Sequence, residues 1–183
     1  MKLKISGGKY KRTQICIPED SCDFRPTKSI VRQAVCNVLQ DKIRDIQTLE
    51  LCAGSCVFSM EMISRGAKKA FAVEQNPKLC KSVKEQIDKY FWSKQIEILC
   101  ADAAEFADKT DEKFDIIFFD PPYYTSEFAK ITEKMQNICR KNAILVFEFA
   151  SGDEFANDFI SKNYNDYNIR KYGKTSVAFV KGV

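Results

Sequence analysis

From about residue 46 onward, two kinds of apolar run take turns along the chain. The short runs TLELC (48–52), KAFAVE (69–74), IEILCA (96–101), FDIIFF (114–119) and AILVFEF (143–149) are nearly continuous in apolar residues. Between them lie 57–65, 77–91, a short 102–109 and 126–140, where apolar residues return at helical spacing. Unbroken apolar runs are what parallel strands need when helices cover both their faces. A further helical segment, 153–163, precedes two strand-like runs, 168–172 and 175–180, separated by Gly173 and Lys174. Strands this close can only pair antiparallel, because a parallel crossover takes a dozen or more residues. The pattern predicts an α/β fold: a doubly wound, mostly parallel sheet with a C-terminal antiparallel hairpin.

The first 44 residues follow a different pattern. LKIS, Gly7-Gly8 and TQICIP (13–18) predict a β-hairpin with a glycine turn. Pro26-Thr27 then precede Ile30, Val31, Ala34, Val35, Val38 and Leu39, an amphipathic helix with Thr27 as its expected N-cap. With 183 residues and no internal repeat, a single domain 1–183 is expected: a hairpin-plus-helix extension over 1–44 and a core over 45–183.

Charge sharpens that division. Residues 1–44 hold ten Lys/Arg against four Asp/Glu, whereas 45–183 hold nineteen against twenty-one. A basic front on a mildly acidic body suits a polyanion docked at the N-terminal end. No apolar run approaches the ~20 residues of a membrane span, and polar turn residues follow Met1-Lys2-Leu3-Lys4 at once, so no membrane partner and a cytoplasmic location are expected. A monomer is expected. The eight cysteines are scattered without a C-x-x-C and read as reduced packing residues. The chain has no histidine, which excludes Ser-His and Cys-His nucleophilic machinery and leaves no expected metal site.

In an open α/β sheet, ligands bind beyond the carboxyl ends of the strands. Here an acid stands at or near four of those ends. Glu50-Leu-Cys-Ala53-Gly54-Ser55-Cys56 follows the first core strand, Glu74-Gln75-Asn76 the second, Asp102-Ala103 the third, and Asp120-Pro121-Pro122-Tyr123 the fourth. Asp102 alone reads best as a helix N-cap. Four acids along one rim suit a ligand rich in donors, cationic, or both. Glu74 also fits a nicotinamide dinucleotide, since an acid about 20 residues past the glycine loop takes a ribose there. The loop does not fit, because a pyrophosphate needs G-x-G-x-x-G and only Gly54 lies in it. Glu50 would repel a pyrophosphate but suits a sulfonium and an ammonium. S-adenosylmethionine carries both and no phosphate.

LELCAGSC resembles the first motif of the class I S-adenosylmethionine-dependent methyltransferases, and DPPY their fourth. GGKYKR (7–12), Arg25-Pro26-Thr27, Val31-Arg32, SRGAKKAFAVEQNP (64–77), FDIIFFDPPY and KYGKTS (171–176) extend the likeness over nearly the whole chain, to the bacterial RsmD-type family. Those enzymes methylate guanine N2 in small-subunit ribosomal RNA. The resemblance implies a Rossmann-like sheet, S-adenosylmethionine as cofactor, and ribosomal RNA or a small-subunit particle as partner. Two residues depart from the family pattern: Cys56 stands where glycine is common, and Glu50 where aspartate is usual. A Cβ at position 56 restricts the loop to φ < 0 or a mild left-handed strain.

On this resemblance, Asp120, Pro121, Pro122 and Tyr123 are the catalytic corner. The Asp120 carboxylate and the Pro121 carbonyl accept the two amine hydrogens, and Tyr123 offers a face to an unstacked base. Ala53, Gly54 and Ser55 hold the cofactor, with Glu50 near its ammonium. Glu74 is assigned to the ribose hydroxyls and Asp102 to the adenine amine, with Gln75 and Ala103 as further cofactor-binding residues. Arg25 and Thr27 match the element bordering the same pocket. Lys9, Lys11, Arg12 and Arg32 are candidates for RNA phosphates. An adenine-N6 methyltransferase on DNA or RNA would use the same acceptor pair, and an RNA-binding assembly factor without activity would keep the same fold. Cytosine-C5 transfer is excluded as a poor match, because no proline precedes a cysteine.

Overall fold

The computed structural model describes residues 1–17, 26–121 and 127–181. A two-stranded antiparallel hairpin, β1 (Lys2–Lys4) and β2 (Gln14–Cys16), pairs Lys2 with Cys16 and Lys4 with Gln14. Helix α1 (Ser29–Leu39) leads into the core. There β3 (Gln47–Leu51), α2 (Val57–Ser64), β4 (Lys69–Glu74), α3 (Pro77–Lys89), β5 (Ile96–Cys100), α4 (Ala103–Lys109), β6 (Phe114–Phe119) and α5 (Glu127–Asn137) alternate. The chain ends in β7 (Cys139–Ala150), α6 (Glu154–Asn163), β8 (Tyr167–Tyr172) and β9 (Thr175–Lys181).

The seven core strands form one sheet in the order β5-β4-β3-β6-β7-β9-β8. The first four pairings are parallel, and β9 pairs antiparallel with both β7 and β8. The chain moves outward from β3 to β4 and β5, then crosses back to β6 on the other side of β3. The carboxyl ends of β3 and β6 therefore lie side by side at the point where strand order reverses, with Leu51 opposite Phe119.

Period-two alternation sends each strand's side chains to two separate cores. Ala70 and Ala72 of β4, Ile116 and Phe118 of β6, and Ile144 and Val146 of β7 pack with α1, α2 and α3. Their neighbours Phe71, Val73, Ile117, Phe119, Leu145 and Phe147 pack with α4, α5 and α6. Ile5, Ile15 and Ile17 are fully buried in the first of these cores, so the N-terminal hairpin is part of the packed body.

The hairpin's turn docks on the last turn of α2. Ser64 O accepts from Lys9 N at 2.6 Å, and Ser64 Oγ accepts from Tyr10 N at 2.9 Å. Gly8 makes this approach possible: its φ is +77°, and a Cβ there would lie 1.9 Å from Ser64 O.

Two sequence expectations are overturned here. Helix α1 begins at Ser29, with Lys28 in the extended conformation before it and no side-chain cap. Thr27 is not the N-cap, because its hydroxyl is engaged elsewhere. The last long core strand starts at Cys139, within the segment read as helix. A register shift in β6 between Phe114 and Ile116 pairs Phe114 with Cys139 and extends the strand toward its amino end.

Candidate active site

The loop after β3 is bent by three left-handed residues within five positions: Cys52 (φ 58°), Gly54 (φ 50°) and Cys56 (φ 57°). Cys56 takes the strained option that a Cβ leaves open there, and it is fully buried as the N-cap of α2 without a side-chain cap bond. Glu74 pins the loop from the neighbouring strand. Its Oε2 accepts from Gly54 N at 2.8 Å and its Oε1 from Asn76 N at 2.8 Å. A carboxylate has about four acceptor sites, so Glu74 still has lone pairs for hydroxyl donors.

Glu50, 4% exposed, faces the first turn of α2. Its Oε2 accepts from Ser59 N at 2.7 Å and Ser59 Oγ at 2.6 Å. Burial pushes its carboxyl up to about 7 against those two bonds, and the nearby Asp120 charge adds to the rise. Asp120 is half-buried at the end of β6, and its Oδ2 accepts from Thr27 Oγ1 at 2.9 Å. Desolvation pushes it, too, up to about 7, with the Thr27 bond pulling the other way. Among the described residues no cation lowers either group. Two acids side by side in a low-dielectric rim, each raised by burial, favour a ligand that brings positive charge. A sulfonium and an ammonium meet that need, and the acceptor-rich rim suits a nucleoside's hydroxyls and amine. The residues fit S-adenosylmethionine.

Asp102 caps α4, its Oδ1 accepting from Ala104 N and Glu105 N at 2.9 Å each. The cap role expected of it alone is therefore present, and Oδ2 remains for an amine donor. Ala103 is buried beside it, and Gln75 is exposed on the rim. The structure thus brings Glu50, Ala53, Gly54, Ser55, Glu74, Thr27, Asp120 and the buried Pro121 to one end of the sheet. Arg25, Pro122 and Tyr123 lie outside the described residues.

The four basic candidates divide. Arg32 is 1% exposed, which removes it from any RNA surface. Its Nη1 donates to Thr27 O at 2.6 Å, its Nη2 to Lys4 O at 3.0 Å, and its Nε lies 3.6 Å from Glu61 Oε1. Glu61 is itself fully buried and accepts from Ser6 N at 2.6 Å. A guanidinium can satisfy several backbone carbonyls and a carboxylate at once, and here it ties hairpin, α1 and α2 together beneath Thr27. Lys9, Lys11 and Arg12 are exposed, but they sit at the far end of α2 from the loop. Eight helical residues separate the two ends by ~12 Å.

Sequence reasoning missed Ser59 and gave Arg32 a surface role in place of its buried one. Ser59 had a readable signal: a buried acid at a strand end needs a donor, and the first turn of the next helix is its nearest source. The buried role of Arg32 had none, because Lys4 and Glu61, which bury it with nearby Thr27, come from distant segments.

The comparison with known proteins fits this geometry. The family model described as conserved hypothetical protein 95 matches residues 3–181. The chain belongs to that family. A relative named ribosomal RNA small subunit methyltransferase D, from Buchnera aphidicola subsp. Baizongia pistaciae, is 27% identical over 147 residues, covering 79% of this chain and 74% of its own. One of the same name from Escherichia coli K12 is 29% identical over 125 residues, covering 67% of this chain and 61% of its own. A solved structure titled putative methyltransferase yhhF from Escherichia coli superposes with a TM-score of 0.81 at 16% identity, covering 100% of this chain and 98% of that one. A Thermus thermophilus 16S rRNA N2 methyltransferase (RsmC), solved with AdoMet and guanosine, superposes with a TM-score of 0.78 at 15% identity, over 100% of this chain and 50% of that one. This family member therefore has the class I methyltransferase fold, and the likeness to RsmD-type enzymes read from its motifs is borne out.

Proposed function

We propose that this protein transfers a methyl group from S-adenosylmethionine to the exocyclic N2 amine of a guanine in small-subunit ribosomal RNA. The observation that carries the reading is Asp120 at the strand-order reversal, Oδ2 held by Thr27, with Pro121 next in the chain. When bound, the cofactor supplies an electrophilic methyl group on a positively charged sulfur. Ala53, Gly54 and Ser55 would line it, Glu50 would face its ammonium, Glu74 its ribose hydroxyls and Asp102 its adenine amine.

The chain's own task is to make a poor nucleophile reactive. The lone pair of a guanine amine is delocalised into the ring, so the nitrogen must be turned out of the ring plane to attack. Thr27 occupies Oδ2 and leaves Asp120 Oδ1 for one amine hydrogen. The Pro121 carbonyl takes the other, with Pro121 and Pro122 restricting φ so that little entropy is lost in aiming it. Charge-assisted bonds of this kind contribute about 1.5–3 kcal/mol each. As the nitrogen gains positive charge, its attraction to Asp120 grows, which stabilises the transition state more than the ground state. A carboxyl raised to about 7 is also a competent acceptor for the departing amine proton near neutral pH.

The names of the relatives support ribosomal RNA as the substrate class. A tRNA1(Val) (adenine(37)-N6)-methyltransferase from Bacteroides fragilis, 27% identical over 101 residues, shows that adenine chemistry occurs among similar chains. Incubating the protein with methyl-tritiated S-adenosylmethionine and unmethylated small-subunit ribosomal RNA, then digesting to nucleosides, separates the readings. Label in N2-methylguanosine is expected. Label in N6-methyladenosine would establish the adenine reading instead, and cofactor-independent RNA binding without transfer would leave an assembly factor.

A further inference from the structure

Helix α3 ends in a Schellman motif with the wrong residue in it. Tyr90 is the C-cap, Phe91 N donates to Asp88 O at 3.1 Å, and Trp92 N donates to Ile87 O at 2.9 Å. The motif requires a left-handed residue at Phe91, whose φ is +57°, a position that glycine ordinarily fills. A phenylalanine there bears the left-handed penalty and gains nothing from packing, since it is 90% exposed. Its neighbours behave as folding demands. Trp92 is buried at 2% exposure, and Tyr90 donates its hydroxyl to Gln14 O at 2.7 Å. Phe91 is the one member of the Tyr90-Phe91-Trp92 run that stability does not explain.

The surroundings are basic. The Trp92 ring lies 5.1 Å from Tyr10 and 5.0 Å from Tyr90, which joins the end of α3 to the hairpin turn. The Lys9 ammonium sits over Tyr10 at 5.2 Å and the Lys89 ammonium over Tyr90 at 5.3 Å. Across residues 9–12 and 88–94, five exposed cations (Lys9, Lys11, Arg12, Lys89 and Lys94) meet one exposed acid, Asp88. An outward-held aromatic ring within a field of cations is the combination that binds unpaired nucleotides, the ring stacking on a base and the cations taking phosphates.

We propose that Phe91, with Lys9, Lys11, Arg12, Lys89 and Lys94, forms a second RNA-contact surface, on which one unpaired base of the substrate RNA stacks against Phe91. It rests on the RNA-methyltransferase reading for its partner. Helix α3 starts at the carboxyl end of β4, near the candidate active site, and its thirteen residues carry Phe91 ~20 Å away from that rim. The substrate thus touches the protein at both ends of α3. The same surface gives Lys9, Lys11 and Arg12 a task despite their distance from Asp120.

Phe91→Ala and Phe91→Gly test this with opposite demands on stability and binding. Glycine relieves the left-handed strain, so Phe91→Gly should melt at or above the wild-type temperature. Both variants should bind protein-free small-subunit ribosomal RNA about tenfold more weakly, the effect of losing one stacked base. KM for RNA should rise similarly with kcat at saturation and cofactor affinity unmoved, and Lys9→Ala/Lys11→Ala should weaken binding and flatten its salt dependence. Unchanged RNA affinity in the two Phe91 variants overturns the proposal. RNA binding is read without turnover, so a wild-type protein that binds RNA through Phe91 but transfers no methyl would sink the enzymatic reading and leave this surface standing.

Discussion

At the scale of single residues, the proposed chemistry rests on two carboxyls whose pKa values burial raises toward neutrality. Asp120 and Glu50 are both raised to about 7, mainly by desolvation. In the proposed reaction Asp120 must be ionised to hold an amine and Glu50 to face the ammonium, so kcat/KM for the cofactor should fall up to about a hundredfold per unit as pH drops well below ~7. Thr27→Val removes the bond that, among the described residues, favours the ionised form of Asp120. That variant should therefore lose activity already at a higher pH, and an unmoved acid limb would show that another group controls it. Asp120 and Pro121 were legible in the sequence because two prolines and an acid after an apolar strand cannot serve the sheet. Thr27 was legible as a site residue only through family likeness, since its partner lies 93 residues away. Read locally it looks like a helix cap, and in the fold Lys28 takes that position. Arg32 misleads in the same way: an arginine in a basic segment suggests a surface, and only the assembled structure reveals Glu61, Thr27 and Lys4 around it.

Among the elements, strands and helices of the core follow their periodicity closely, because strands covered on both faces carry an unambiguous apolar signal. Departures occur where pairing rather than pattern sets the limit, as at Cys139, which joins β7 by pairing with Phe114. The left-handed positions at Cys52 and Phe91 were hidden too, since neither is glycine, whereas Cys56 was flagged only because family likeness puts glycine there. The hairpin is the element whose docking matters most to the site. It is held against α2 at Ser64 and Glu61, and through Arg32 it buttresses the segment that presents Thr27 to Asp120. Gly8→Ala would combine a positive φ with a Cβ thrust against the Ser64 carbonyl. Loss of about 2–4 kcal/mol is expected from strain and overpacking together, measurable by urea unfolding. Wild-type stability in Gly8→Ala would mean that the hairpin is not docked as described.

For the molecule as a whole, the sheet places an acidic rim at one end and a basic, aromatic surface at the other. Raised carboxyls have a cost in the free protein. Each is more readily protonated when folded than when unfolded, so its contribution to stability is full below pH ~4 and is lost as pH rises through about 7. A cofactor whose ammonium faces Glu50 should offset part of that loss. S-adenosylmethionine at a hundred times its Kd should stabilise by about 2.7 kcal/mol, roughly 5–10 °C in Tm for a chain of this size. No shift at that concentration would remove the cofactor assignment. Everything then turns on whether Asp120 faces the acceptor and not the cofactor. The direct measurement is paired titration calorimetry with S-adenosylmethionine and methyl transfer to small-subunit ribosomal RNA, on wild type and Asp120→Ala. Cofactor affinity within a few-fold of wild type, with transfer abolished, is the predicted result; near-normal transfer by Asp120→Ala would contradict it.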